Sequence, residues 1–271
     1  MTMYQLSDAT VTNDLIAAQR RGVNVRVLLD YAFHGHEVDN DAYTSLSNAG
    51  VNVQYALKSI IYHQKSMVVD NSSVAIGTGN FTSKYYDMSR DDWIVSTDPA
   101  DITAVSSTFD SDMNLAQNGT GHPDPGVESP NLVWSPHARD RFISVINAAS
   151  KSLDLTSEEF KDNDIANAVA NVVSKGVTCR IILPDSSSSS TEVASVSNAG
   201  CTVHSNKPDG LYMHQKLIIV DGDTALVGSQ NISTESLTQN RELSLLLNKR
   251  SAPDVVSQLE NQFNSDFSAS G

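Results

Sequence analysis

His63-Gln64-Lys65-Ser66-Met67-Val68-Val69-Asp70 and His214-Gln215-Lys216-Leu217-Ile218-Ile219-Val220-Asp221 are one motif, His-x-Lys-x4-Asp, written twice at a spacing of 151 residues. The first copy runs on to Gly77-Thr78-Gly79-Asn80 and then Asp91. The second runs on to Gly228-Ser229-Gln230-Asn231 and then Glu242, with the Asn and the acid again 151 positions on. A pattern held in register over this length describes two half-sites that act together in two related units. The segments between Lys and Asp are apolar and largely β-branched, which reads as buried strand. On such a strand a His and a Lys two residues apart project to the same face.

The same repeat organises the chain outward from the motif. Arg20-Arg21-Gly22-Val23-Asn24-Val25-Arg26-Val27-Leu28-Leu29 matches Ser174-Lys175-Gly176-Val177-Thr178-Cys179-Arg180-Ile181-Ile182-Leu183, a helix end with a Gly cap followed by a buried strand. Ser47 to Val51 matches Ser197 to Cys201, and Phe109 to Asp112 matches Phe263 to Asp266 in closing helices. Alternating strand and helix predicts mainly parallel, mixed sheets flanked by helices, in two tandem α/β domains. The boundaries are 1–113, a linker 114–131 of polar, Gly- and Pro-containing composition, and 132–271. The halves differ at their starts. Leu132 to Pro136 and a helix from about Ala138 to Ala149 have no counterpart in the first half, whose opening strand is stunted. The expectation is that the natural N-terminus, with a strand and a helix, lies beyond this chain.

The residue types suit a phosphodiester, an anion with a poor leaving group. Its cleavage needs a nucleophile, a proton donor for the departing alkoxide, and cations or amides around the phosphoryl oxygens. Two His-Lys-Asn sets supply all of these. A metal site is the competing reading of paired His and Asp, but a lysine two residues from each His would repel the ion. The Gly-containing turns match no Walker pattern, and the sequons at Asn80 and Asn231 are read as coincidence.

The paired motifs resemble the phospholipase D superfamily, the HKD enzymes, over essentially the whole chain. The resemblance implies two α/β domains about a pseudo-twofold axis, with the active site on the seam and no metal or organic cofactor. Carried over residue by residue, it implies that His63 attacks phosphorus to form a phosphohistidine and that His214 protonates the leaving group. It further implies that Lys65, Lys216, Asn80 and Asn231 hold the phosphoryl oxygens and that Asp91 and Glu242 orient the histidines. Asp70 and Asp221 are expected to be structural. Asn80 to Tyr86, Ser89-Arg90-Asp91 and Val133 to Pro136 also resemble a bacterial phospholipase D-like group that is often exported, so a secreted or periplasmic location is expected, with no signal peptide in this chain.

Charge orders the substrates. The chain of 271 residues carries 18 basic and 32 acidic residues, net −14. A nuclease normally offers a basic groove to its polyanion, and here only Arg20-Arg21 and Lys249-Arg250 cluster. Strong nucleic-acid binding is therefore not expected. A phospholipid with a zwitterionic or neutral headgroup fits best, met in transient contact with a membrane or micelle by a monomer. The expected activity is cleavage of the distal phosphodiester bond of phospholipids, with transphosphatidylation when an alcohol replaces water. The alternatives are an HKD-type nuclease and a catalytically idle binding module; the intact motifs argue against the latter. Tyr4 and Glu158 align across the repeats and are candidates to line the pocket. His34 and His36 are left out of the site. Cys179 and Cys201 each align with a valine and are read as core residues, with a disulfide as the other reading.

Overall fold

The computed structural model describes residues 1–206 and 210–270. The first half contains β1 (Thr2–Met3), α1 (Ala9–Arg20), β2 (Arg26–Leu29), α2 (Asn40–Asn48) and β3 (Asn52–Tyr55). It continues with β4 (Ser66–Val69), β5 (Ser73–Gly77), β6 (Ser89–Arg90), β7 (Trp93–Ser96) and α3 (Pro99–Asn118). The second half opens with β8 (Leu132–Ser135), α4 (Arg139–Asn147), β9 (Ser152–Thr156), α5 (Asn163–Val173) and β10 (Thr178–Leu183). After these come α6 (Thr191–Ala199), β11 (Thr202–Ser205), β12 (Tyr212–Met213), β13 (Leu217–Val220), β14 (Thr224–Gly228), α7 (Thr234–Thr238), β15 (Glu242–Asn248) and α8 (Pro253–Ser270).

The repeat seen in sequence is a repeat of topology. One sheet has the order β3-β2-β1-β4-β5-β7 and the other β11-β10-β9-β13-β14-β15, to which β8 adds an edge. Both are mixed α/β sheets flanked by helices, as expected. "Mainly parallel" needs correcting, however: only β1, β2 and β3, and likewise β9, β10 and β11, run parallel, and antiparallel pairings outnumber them. The cause lies in the motif itself. Asp70 and Asn71 both have φ 51°, and Asp221 and Gly222 have φ 54° and 63°. Ser72 N donates to Val69 O and Asp223 N to Val220 O, both at 2.9 Å. These are type I′ turns, whose twist matches a hairpin, so each motif strand must fold back antiparallel on the next.

Helix ends are set locally. Asp8 caps α1 by accepting from Thr10 N and Val11 N, and its repeat-mate Asp162 caps α5 by accepting from Ile165 N. Asp98 caps α3 with Pro99 at the first helical position, and Gly119 (φ 71°) ends it. The linker therefore starts later than residue 114, because Asn114 to Asn118 complete the last turn of α3. The unmatched start also has a structural form: β1 is two residues long where β9 has five, and β8 and α4 belong to the second sheet alone.

Each half has its own core, such as Val27, Leu29 and Leu46 in the first and Leu155, Val169 and Ile181 in the second. A further cluster is shared. Val74, Ile76, Ile102 and Val105 pack with Leu132, Trp134, Leu243 and Leu245, so β5 and α3 of one half meet β8 and β15 of the other. The burial of these side chains is the main cohesive force between the halves. Gly228 lets β14 and β15 close up: a Cβ there would stand 2.3 Å from Leu243 O.

Cys179 on β10 and Cys201 before β11 form a disulfide, which corrects the reading of both as free core residues. The parallel pairing of β10 with β11 brings their Cα atoms to 4.5 Å, within bridging reach.

Candidate active site

Each His-x-Lys pair lies in the extended lead-in to a motif strand, just before β4 or β13. The lead-ins cross to the opposite half. Tyr62 bridges Arg241 in parallel, and Met213 pairs with Arg90 in the same way. These pairings are reciprocal under the 151-residue offset, as a twofold relation requires. Gln64 N donates to Arg241 O and Arg241 N to Ile61 O, while Tyr212 N donates to Met88 O.

This crossing decides the partner of each histidine. His63 Nδ1 lies 2.8 Å from Glu242 Oε2, and His214 Nδ1 lies 2.7 Å from Asp91 Oδ1. Each half therefore supplies the acid for the other half's imidazole. A carboxylate on Nδ1 fixes the proton there and turns Nε2 to the site. Asp91 is itself held by Thr78 Oγ1 and Ser89 Oγ, and Glu242 by Asn240 Nδ2. Gly79 makes room for Asp91, since a Cβ at 79 would stand 2.8 Å from Asp91 Cγ. Gln230 holds the matching place in the second half and turns away to donate to Val133 O.

Both lysines are buried, and each Nζ donates to the carbonyl of its own motif histidine. Lys65 also lies 4.8 Å from the Tyr4 ring centroid, and that ring meets His63 edge-on at 4.5 Å. On the other side Lys216 Nζ donates to Glu158 Oε2 at 3.0 Å, with His214 Nε2 3.4 Å from the same oxygen. Asn231 Nδ2 points at Glu158, and the side-chain oxygens of Asn80 and Asn231 are buried without a hydrogen-bond partner.

The electrostatics join the half-sites into one. Burial, then the Lys65 charge, lowers the proton affinity of His63; burial, then Lys216, lowers that of His214. Burial would raise Glu242, but His63 and Lys65 outweigh it and hold its carboxyl below the usual range; His214 does the same for Asp91. Burial, reinforced by Lys216 across the seam, brings the Lys65 ammonium down to about 7. A testable pH dependence follows. The kcat/KM of the free enzyme should fall as His214, the proposed acid, loses its proton, and fall further above pH about 7 as Lys65 loses its charge. Lys65→Arg, which stays charged, should carry that limb upward; a pH–rate profile that does not move removes Lys65 from the site's charge balance.

The motif acids stand elsewhere. Asp70 is exposed in its turn. Asp221 accepts from Ser150 N, Lys151 N, Ser152 N and Ser150 Oγ, and so ties its turn to the start of β9. Burial would raise its carboxyl, but the donors at Ser150, Ser152 and Lys151 prevail and lower it to about 2. Its folded-state value is depressed, so its contribution is present above the ordinary 3.8 and lost as pH falls toward about 2. Asp221→Asn should cost about 1–2 kcal/mol at neutral pH, with the gap closing across that window in urea titrations, while turnover stays near the parent's. A constant gap down to pH 2 would contradict this.

Some side chains at the site carried little signal in sequence. Arg241 pairs with Asp112 of α3, and its repeat-mate Arg90 pairs bidentately with Asp266 of α8, so two ion pairs bolt the seam. The matching Phe-x-x-Asp segments of the closing helices were the available clue. His34 packs on Tyr4 and lies 2.6 Å from Gln5 Nε2, one ring behind the site. His36 packs on Tyr31 and Tyr55. Among the described residues, no group of three or more His, Cys, Asp or Glu side chains is placed to hold a metal ion.

Two His-Lys-Asn sets with exchanged acids thus form one arrangement, and comparison with known proteins gives its family. The family described as "Cardiolipin synthase, PLD-like domain" matches residues 1–113 and 142–267. The chain belongs to this family of the phospholipase D superfamily. It is 24% identical to cardiolipin synthase A of Yersinia pseudotuberculosis serotype O:1b (strain IP 31758) over 93% of its length, and equally to that of Yersinia pestis bv. Antiqua (strain Angola). The chain spans 60% of the length of these curated relatives. Among solved structures, phosphatidylserine synthase of Haemophilus influenzae Rd KW20 superposes with TM-score 0.72 at 14% identity, covering 96% of this chain and 79% of that one. Polyphosphate kinase of Porphyromonas gingivalis gives 0.66 at 13% identity, covering 96% and 44%. At such identities the likeness is one of fold.

Proposed function

We propose that the chain is a phospholipase D-type enzyme that moves the phosphatidyl group of a phospholipid onto an alcohol or onto water. The observation that carries this reading is the reciprocal pairing of His63 with Glu242 and His214 with Asp91. It leaves two Nε2 atoms, two lysines and two asparagines for one phosphoryl group. In the first step His63 Nε2 attacks phosphorus and the bond to the headgroup oxygen breaks. His214 Nε2 gives its proton to that oxygen. In the second step His214 takes a proton from the incoming alcohol or water, whose oxygen displaces His63 and frees it. Lys65, Lys216, Asn80 and Asn231 bind the non-bridging oxygens, where charge develops.

Transfer is favoured over plain hydrolysis by the relatives, which are named as synthases. A lipid surface is favoured by the exposed apolar side chains near the site: Phe33 beside Tyr4, Met88 and Tyr212 on the His214 side, and the neighbouring Tyr85 and Tyr86. The net charge of −14 supports a zwitterionic or neutral headgroup. The Cys179–Cys201 bridge supports an oxidising compartment outside the cytoplasm. No helix among the described residues is long and apolar enough to cross a membrane.

The test is a parallel assay on phosphatidylcholine, phosphatidylglycerol, single-stranded DNA and a chromogenic phosphodiester, with ethanol present. Lipid turnover with formation of phosphatidylethanol is the expected result. DNA cleavage without lipid turnover would replace the lipid reading with a nuclease.

A further inference from the structure

The two half-sites share their His, Lys and Asn and each lends the other an acid, but they differ in charge at one further place. Tyr4, at the end of the first strand of its half, has Glu158 as its repeat-mate after β9. Tyr4 is buried and neutral, and it presents its ring to His63 and Lys65 without taking a hydrogen-bonding position from either. Glu158 puts a carboxylate in the corresponding place. Lys216 Nζ lies 3.0 Å from Oε2, His214 Nε2 3.4 Å and Asn231 Nδ2 3.5 Å, while Tyr212 Oη donates to Oε1 at 2.9 Å. Two of these donors, Lys216 and Asn231, are the groups proposed to bind a phosphoryl oxygen in the second half-site, and His214 is its proposed acid. The carboxylate thus occupies an anion position made of a buried ammonium, an imidazole and an amide.

We propose that Glu158 is the charge selector of this site: its carboxylate holds the second half's phosphoryl-oxygen position, yields it to an entering phosphodiester, and then stands beside the substrate's alcohol arm. The inference rests on the two-histidine reading above.

The main chain of Glu158 cannot withdraw with the side chain. Ser187 Oγ donates to its carbonyl at 2.6 Å, and the adjacent Ser157 Oγ donates to Glu159 O. The serine-rich stretch after β10 therefore has a second role besides capping α6 through Ser190. The side chain is 24% exposed, and it turns aside by giving up its bonds to Lys216 and Tyr212. Burial alone would raise its carboxyl, but Lys216 and then His214 hold it far below the usual range, so it meets the substrate ionised. A carboxylate displaced by a bond rotation stays within a few ångströms of the phosphate. An ammonium or hydroxyl on the departing or entering alcohol satisfies it, whereas a further anion there is repelled. The acceptable class is a monoanionic phosphodiester whose alcohol is cationic or a neutral polyol.

The test is calorimetric and needs no turnover. Inorganic phosphate, glycerophosphocholine and glycerophosphoserine are titrated into the parent, Glu158→Gln and Glu158→Tyr, the last restoring the symmetry with Tyr4. Removing the carboxylate should tighten inorganic phosphate at least about tenfold, and the preference for the choline over the serine ester should collapse toward parity. Glu158→Gln keeps the shape of the side chain, and a thermal melt checks that each variant is folded. Phosphate affinity that is unchanged or weaker in both folded variants, or a choline preference that survives, overturns the proposal. Lys216→Met separates the two readings. Phosphate binding that depends on Lys216 but not on Glu158 overturns the selector alone. Binding indifferent to Lys216 overturns the phosphoryl site itself, and the selector with it.

Discussion

Replacing His63 by alanine lowers turnover by on the order of 10⁴-fold or more for every phosphodiester, whatever its leaving group. On the proposed mechanism the first bond to phosphorus is made by His63 Nε2, and the two lysines are no substitute, since each is turned to the carbonyl of its own motif histidine. His214→Ala behaves differently. General acid catalysis contributes about 10²–10⁴-fold when the alkoxide is a poor leaving group. It contributes little when the leaving group is 4-nitrophenolate, which departs unprotonated. His214→Ala should therefore show a large loss on lipid, a small loss in the first step on the nitrophenyl ester, and a burst of nitrophenol followed by slow release. Stopped-flow traces of both variants on both substrates check this. Equal losses on both substrates for His214→Ala, or the burst appearing in His63→Ala, would exchange the roles or remove them.

The second large effect is on stability. Asp112→Ala should cost about 3–5 kcal/mol, because it strands the Arg241 guanidinium in the seam. The side chains of Arg241 and Asp112 are 1% and 2% exposed, and Nε and Nη1 of Arg241 already lack partners. The remaining acceptor contact, from Nη2 to Asp124 O, carries no charge. At roughly 2–4 °C per kcal/mol for a chain of this size, the midpoint should drop by about 10 °C. The repeat-mate pair, Arg90 with Asp266, is 25% and 9% exposed. Water can reach Arg90, so Asp266→Ala should cost distinctly less. Removing both charges of the buried pair, as Arg241→Met with Asp112→Leu, should recover most of the loss, since no unpaired ion is left. Equal and small losses for Asp112→Ala and Asp266→Ala would mean that burial does not set the strength of these pairs.

Much of this architecture was legible before any coordinates, because the repeat carried it. His63, Lys65, Asn80 and Asp91 and their mates 151 residues on occupy equivalent places, and the strands at Met67 and Ile218 lie where their β-branched runs put them. What could not be read was whatever depends on chain crossing. Asp91 follows His63 in sequence, yet it serves His214, and only the pairing of Tyr62 with Arg241 and of Met213 with Arg90 reveals the exchange. The balance of parallel and antiparallel strands depended on Asp70 and Asp221 taking positive φ, a backbone property that their side chains permit but do not announce. Cys179 and Cys201 sat at valine positions, so packing and bridging looked alike until β10 and β11 were paired. Glu158 was visible only as the odd partner of Tyr4; its reach to Lys216 and His214 is a matter of side-chain direction.

The central claim is that phosphorus passes through a covalent bond to His63. The direct measurement is rapid quench of the enzyme with a radiolabelled phosphodiester, followed by peptide mapping under alkaline conditions that preserve phosphohistidine. The account predicts an acid-labile, base-stable adduct on the peptide carrying His63, accumulating to higher occupancy in His214→Ala and absent in His63→Ala. An adduct on His214 instead, or turnover with no adduct on either histidine, would contradict it.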